Sequence, residues 1–410
     1  MGKKLLILTS HPIQYQVPLW QKMAQAGVPI EVLFLCPHGL KETRDPEFGR
    51  SFAWDLPMLE GYRSRFLEIP GWDLKKPMRM RLSNKPQPLH AGAGRPPSGR
   101  MKGRLKPIFE ETGATHLWVE GWRFPAFWQA VGQAKEAGLQ VWCRGESNDL
   151  APEPKFPKSL VKKVLMSWFF NKVDAFLCIG QANRRLYRKA GVPEARLHSA
   201  PYFVDNERFS REAERLWPER EQIRAGWGIR PEAWVVLYSG KLIPKKRVMD
   251  LAEAFRAAGE RQPGKFHLLL AGDGPQRQEL ERELAGLPMT FAGFLNQTEM
   301  PRAYAAADVM VMTSDWGETW GLSANEALAS GVPLILSNKC GCAEDLSSAT
   351  AEAKVFPMGD VQRLGALLED RIKEIADRGW SIYQRRELMK VMRERFDAEN
   401  TIATVKRLLV

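Results

Sequence analysis

The chain lacks any run of about 18 apolar residues, so nothing in it reads as a transmembrane helix. Cysteine is scarce: five in 410 residues, an odd number with no paired spacing, which argues against a disulfide framework and suits a reducing cytoplasm. Cys340-Gly-Cys342 has no second Cys or His pair at ligand spacing, so it does not read as a metal site. No repeat of solenoid period is visible. No G-x-G-x-x-G follows the first apolar run, which removes a dinucleotide-binding dehydrogenase. The opening MGKKLLILTS has the lysines and short apolar run of a signal peptide. His11-Pro12 cuts that run short and no small-residue cleavage site follows, so a first buried strand is the better reading.

Acid is missing from one stretch altogether. Met78 to Lys106 holds eight basic residues and no acidic one, with Pro86, Pro88, Pro96, Pro97 and four glycines interspersed. Such a segment cannot bury much apolar surface and is expected to form a loop. It is either solvated without a partner or a contact for anionic lipid headgroups or a phosphate-bearing acceptor. The basic character belongs to the first half: residues 1–200 carry 31 Lys and Arg against 17 Asp and Glu, and the remainder 29 against 31. No nucleic-acid-binding motif accompanies this charge, so no nucleic-acid partner is expected. The location expected is cytoplasmic, with peripheral contact at the inner face of the membrane through residues 78–106.

What is present suits a soluble globular chain of two domains, with 44% apolar and 26% charged residues. In the second half, Trp234–Ser239, His267–Ala271, Met289–Ala292, Asp308–Thr313 and Pro333–Ser337 read as strands. Helices are expected between them at about 249–258, 276–285 and 298–307, with Thr298 as N-cap of the last. The first half alternates less regularly, with strands at Leu5–Leu8, Ile30–Leu35, His116–Glu120, Leu139–Cys143 and Ala175–Ile179. This spacing argues for α/β domains with parallel sheets covered on both faces. The expected division is 1–205, then 206–390, with a C-terminal helix over 391–410 packing back on the first domain. Two such domains facing each other form a cleft suited to a ligand.

The segment SDWGETWGLSANEALASGVPLIL, Ser314 to Leu336, is the most informative. Gly321-Leu322 opens a short helix, Ser323 to Ser330, closed by Gly331 and Pro333. A helix that starts just after a buried parallel strand turns its free N–H groups and positive dipole end toward the crevice at the strand ends, which suits a phosphate or diphosphate. Glu318 lies in the loop over that crevice and Glu326 one to two turns into the helix. Carboxylates beside an anion site make sense as acceptors for hydroxyls, such as those of a ribose and a sugar.

With Gly321-Leu322 between the glutamates and Gly331-Val-Pro333 after them, the segment resembles the signature of retaining, nucleotide-sugar-dependent glycosyltransferases of family 4. That resemblance implies the GT-B fold: two doubly wound, Rossmann-like domains facing across a cleft. It covers Tyr238 to Leu336 well and the first half more loosely. Ser239-Gly240-Lys241-Leu-Ile-Pro-Lys-Lys246 is similar to the family segment in which an Arg and, five residues on, a Lys hold the donor diphosphate. The matching positions are Lys241 and Lys246. A lysine at 241 keeps the charge but loses two-pronged hydrogen bonding. Gly240, Phe294 (against the nucleobase), Gly321, Leu322 and Glu326 complete the implied donor site, and Glu318, Lys246, Lys241 and His11 the catalytic set.

His11-Pro-Ile-Gln-Tyr15 replaces the glycine-rich loop of many members and resembles a subgroup with an HPIQY-type opening. Gln14, Tyr15, Glu120, Trp122, Arg144 and Glu146 are candidates for the acceptor side. Arg144, Glu146 and Ser147 stand where relatives often carry a histidine that touches the sugar. The chain holds no Asp-x-Asp, the motif by which metal-dependent transferases of the other major fold hold a divalent ion. No metal or cofactor is therefore expected, and a nucleotide-diphosphate sugar, UDP- or GDP-linked, is the co-substrate. The implied activity is metal-independent, same-face transfer of the sugar to a hydroxyl of a glycan, a lipid-linked saccharide or a small molecule, as in polysaccharide biosynthesis. The alternatives are a non-catalytic protein of this fold that binds nucleotide sugar or a partner, a nucleotide-sugar epimerase, or a phosphorylase. The epimerase needs a different acid/base set and the phosphorylase a lysine holding pyridoxal phosphate; neither pattern is visible.

Overall fold

A computed structural model describes residues 2–45, 47, 49–67, 105–153 and 155–410. Of the basic stretch 78–106, only Leu105 and Lys106 are among them. The chain forms two compact units. The first comprises Met1–Thr43, Phe52–Tyr202 and Ala398–Val410, and the second Arg44–Ser51 and Phe203–Asp397.

The first unit is built on a seven-stranded sheet in the order Ser64–Phe66, Ile30–Phe34, Leu5–Thr9, His116–Val119, Gln140–Cys143, Ala175–Cys178, Leu197–Ser199. All six pairings between these strands are parallel. Leu5 to Leu8 are fully buried, as a central strand covered on both faces must be. The N-terminal apolar run is thus a strand, flanked on both sides. Helices cover the sheet, among them Val17–Gln25, Pro125–Glu136 and Lys158–Phe170. Pro18 and Pro125 sit in the first turns of the first two, where no N–H is needed. The C-terminal helix Ala398–Leu408 belongs to this unit, and Thr404 Oγ1 donates to the Ser199 carbonyl at 2.8 Å.

The second unit has a six-stranded parallel sheet in the order Met289–Gly293, Phe266–Ala271, Trp234–Ser239, Val309–Met312, Leu334–Ser337, Ala353–Phe356. Val235 to Leu237 and Leu268 to Leu270 are fully buried, and Phe255, Leu251 and Leu364 from the helices pack on them. Helix Leu322–Ala329 begins one residue ahead of the expected one. Thr298 does not cap the helix after the third strand. That helix starts at Met300 with Glu299 at the N-cap, because Pro301 in its first turn fixes the entry and Asn296 accepts the Glu299 and Met300 N–H groups.

Both sheets reverse direction at one place. In the first unit the chain leaves Leu5–Thr9 toward one edge and returns on its other side at His116–Val119. In the second it leaves Trp234–Ser239 and returns at Val309–Met312. Loops after such neighbouring strands splay apart and open a crevice at the strands' carboxyl ends.

Candidate functional site

The two motif loops of the second unit flank this reversal: residues 240–247 after Ser239, and 313–321 after Met312. Hydrogen bonds to the lysine loop's carbonyls staple them together. Thr313 Oγ1 donates to the Lys246 carbonyl at 2.7 Å, and the Asp315 N–H to the Lys245 carbonyl at 2.9 Å. Glycine is obligatory under both loops. A Cβ on Gly272 would lie 1.8 Å from the Gly240 carbonyl oxygen, and one on Gly341 would lie 1.8 Å from that of Thr319. The Gly272-Asp-Gly-Pro275 turn therefore acts by letting the lysine loop sit against it, with Leu242 N–H donating to the Asp273 carbonyl at 2.9 Å.

Lys246 and Glu318 meet directly. The Lys246 ammonium donates to Glu318 Oε2, with side chains only 18% and 12% exposed, and Ser314 Oγ reaches the same oxygen at 3.4 Å. Burial alone would lower the Lys246 ammonium; the Glu318 carboxylate more than offsets that and raises it. Lys241 is more deeply buried and is engaged by two carboxylates, Asp45 at 2.7 Å and Glu47 at 3.0 Å. Those acids lie in 44–51, which packs as part of this unit. Between the two sits Lys245, which the motif comparison passed over. It carries no ion pair among the described residues, and burial followed by the Lys246 charge pushes it below the usual lysine range. Of the three ammonium groups in six residues, two are thus engaged by three carboxylates, and Lys245 has no ion pair among the described residues.

Glu326 is held differently. Tyr304 Oη donates to its Oε2 at 2.7 Å and Gln297 Nε2 to its Oε1 at 3.3 Å, while Arg208 orients Gln297 through 2.8 and 2.9 Å bonds. Burial raises the Glu326 carboxyl, and the Tyr304 bond and the Arg208 charge act against it. Gly321 (φ 107°) ends the loop and Leu322 opens the helix whose first-turn N–H groups have no partner inside the helix. Phe294 is half-buried just past the third strand, and Gly240 leads out of the first.

The first unit gathers the other candidates at the ends of its own central strands. Glu146 accepts from Tyr15 Oη at 3.1 Å and from Tyr202 Oη, and the Arg144 guanidinium lies 4.6 Å from the Tyr202 ring centre. Arg144 is fully buried and committed to the framework, donating to Gln16 Oε1 at 3.0 Å and toward the Ala200 and Pro201 carbonyls at 3.5 Å. Burial raises the Glu120 carboxyl to about 8, with Arg144 opposing and Glu146 adding to the shift. Its Oε1 is buried without a hydrogen-bond partner. His11 is buried, its Nδ1 2.8 Å from Ser10 Oγ and its ring edge-on to His38. Gln14 is half-buried beside them. Trp122 packs against Phe170 and the core of this unit. Tyr202, Tyr304 and Gln297 had no motif to mark them; only the fold brings them to the glutamates.

Among the described residues no group of three or more His, Cys, Asp or Glu is placed to hold a metal ion. Cys340 and Cys342 are buried free thiols under the Glu318 loop. No described helix is long and apolar enough to cross a membrane.

Residues 219–378, which contain both motif loops, match the family model for glycosyl transferases group 1. This segment is thus similar to group 1 glycosyl transferase domains. The chain is 33% identical over 175 residues to a sulfoquinovosyl transferase of Arabidopsis thaliana, a match covering 41% of this chain and 32% of that one. It is 30% identical over 130 residues to a GDP-mannose-dependent phosphatidylinositol dimannoside mannosyltransferase of Mycobacterium tuberculosis, covering 31% and 33%. The chain spans about a third of the length of the curated relatives it matches first. Solved structures resemble it over its whole length. A glycosyltransferase from Rickettsia africae superposes with a TM-score of 0.71 at 12% identity, covering 100% and 98% of the two chains. The Anabaena protein HepE in complex with UDP does so with 0.67 at 15%, covering 99% of each. At such identities the likeness speaks for the fold, which is GT-B with two Rossmann-like units.

Proposed function

We propose that this protein is a retaining glycosyltransferase that moves a sugar from a nucleoside-diphosphate donor to a hydroxyl acceptor. The observation that carries the reading is the Lys246–Glu318 pair that joins the two motif loops at the strand reversal of the second unit, with Lys245 in the same loop and Glu326 in the helix that follows. In this reading Glu326, oriented by Tyr304 and Gln297, accepts from the ribose hydroxyls. Lys246, Lys245 and the helix N-terminus take the diphosphate. Lys241 keeps the lysine loop seated through Asp45 and Glu47.

Diphosphate oxygens displace Glu318 from Lys246, and the released carboxylate accepts from hydroxyls of the sugar. The bond from the anomeric carbon to the phosphate oxygen then breaks as the acceptor oxygen bonds to the same face. The acceptor's proton passes to the leaving phosphate oxygen. Fixed ammonium and N–H groups aimed at the leaving diphosphate stabilise its developing charge without rearranging, so no divalent ion is required. The Tyr15–Glu146–Tyr202 cluster and Glu120 of the first unit offer hydrogen bonds for a polyhydroxylated acceptor.

The test is incubation with a panel of UDP- and GDP-sugars and saccharide or lipid-linked acceptors, with products read by mass spectrometry and the anomeric configuration by NMR. Transfer with retention is the expected result. Inversion would overturn the same-face step, and nucleotide binding without turnover on any donor would favour the non-catalytic alternative.

A further inference from the structure

Helix Lys158–Phe170 carries apolar side chains on two faces. Met166, Phe169 and Phe170 are buried in the core of the first unit. Away from them, Leu160 is 53% exposed, Val164 60% and Trp168 51%, four residues apart and therefore in one row; Val161 lies beside the row. Phe156, two residues before the helix, is 80% exposed. Five of the nine large apolar side chains exposed among the described residues fall between Phe156 and Trp168. Exposed apolar side chains set in a row mark a surface that meets an apolar partner, and the Trp168 ring at the end of this row also stacks on Trp128.

Charge says what the other side meets. Residues 155–173 contain five lysines and no acid. Lys155 and Lys163 are exposed beside the apolar row, and the Lys172 ammonium lies 4.0 Å from the centre of the Trp168 ring. A second copy docked through the same face would bring lysine rims together, a like-charge contact that opposes association. An apolar stripe with tryptophan on it and lysines around it instead matches an anionic bilayer: the stripe enters the boundary of the acyl chains and the ammonium groups stay among the phosphates. We propose that Phe156, Leu160, Val161, Val164 and Trp168, with Lys155, Lys163 and Lys172, form a face that docks this protein on an anionic membrane surface. The proposal is independent of the donor site, and of the basic stretch 78–106.

Co-sedimentation of the full chain with vesicles tests it. Vesicles of equal parts phosphatidylcholine and phosphatidylglycerol should carry the protein down, and phosphatidylcholine alone should do so roughly tenfold less well. Leu160→Glu with Val164→Glu should weaken binding to the anionic vesicles by roughly tenfold or more, because it removes the inserted stripe and adds repulsion. Lys155→Glu with Lys163→Glu should act in the same direction. Circular dichroism checks the fold of each variant, and Leu160→Ser with Val164→Ser replaces the glutamate pair if that pair unfolds. The proposal is overturned if the wild type stays in the supernatant with anionic vesicles, or if the stripe variants bind as the wild type does. It is overturned as well if sedimentation velocity shows a dimer that the stripe variants dissociate, since a second copy would then be the occupant.

Discussion

Replacing Glu318 by glutamine should tighten the binding of free nucleoside diphosphate, although the proposed function puts Glu318 in the donor site. In the structure its carboxylate neutralises Lys246, and both side chains are mostly buried. Two unit charges about 4 Å apart attract by about 4 kcal/mol at an effective dielectric constant near 20. An incoming diphosphate must break that pair before it gains its own contact with Lys246, so the two attractions largely cancel. Glutamine keeps the size of the side chain, drops the charge and leaves Lys246 available. The gain should be that of a hydrogen bond to a charged group, about 1.5–3 kcal/mol, or roughly 10- to 150-fold in affinity. Calorimetry with UDP and GDP on both proteins reads this directly. The same variant should melt lower without ligand, since Lys246 is left buried and unpaired, and recover on adding nucleotide. Turnover should fall, because the sugar loses an acceptor that orients it. Unchanged or weaker nucleotide affinity in a folded Glu318→Gln protein would refute the exchange and remove Lys246 from the diphosphate site.

Three further outcomes are expected. Glu326→Ala should weaken nucleoside diphosphate binding by about 1.5–3 kcal/mol in calorimetry, and unchanged affinity in a folded variant would remove Glu326 from the ribose. Activity should survive an excess of EDTA, because in the proposed mechanism lysines and backbone N–H groups hold the diphosphate; complete loss, restored by magnesium or manganese, would refute that account. Glu120, raised by burial from an ordinary 4.5 to about 8, contributes stability that is full below the lower value and is lost as pH rises through the upper one. Thermal melts should therefore fall from about pH 5 to about pH 9 more steeply in the wild type than in Glu120→Gln, by on the order of a few kcal/mol, and parallel curves would contradict the shift.

The second unit was legible because its signals are local. Val235–Leu237 and Leu268–Leu270 are unbroken apolar runs followed within three residues by a glycine, and the lysine and glutamate loops follow such apolar strands directly. Strand ends were correct to within a residue or two for the same reason. Short edge strands were not legible: Ser64–Phe66 and Ala353–Phe356 carry Arg65 and Lys354 in their centres, and only pairing to a neighbour makes them strands. Thr298 was read as a cap from its type alone, whereas the proline three residues later decided the helix start. The partners of the site lie further from reach. Asp45 is 196 residues from Lys241, and Tyr304 sits on a different helix from Glu326; no spacing rule links either pair.

Those long-range partners change what the lysines mean. Read in sequence, Lys241, Lys245 and Lys246 are a field of three positive charges awaiting phosphate. Folded, two of them already face carboxylates, so the loop offers one unpaired ammonium and one that becomes available by exchange. Releasing Lys241 would require moving both Asp45 and Glu47 from a buried pair, whereas releasing Lys246 moves only Glu318. A single phosphate group can take Lys245, but the second contact needs enough negative charge to displace a carboxylate. A diphosphate supplies it and a monophosphate supplies less. In the proposed function the acid–lysine pair therefore favours the nucleoside diphosphate over the monophosphate, and frees the Glu318 carboxylate for the sugar only when the diphosphate has arrived.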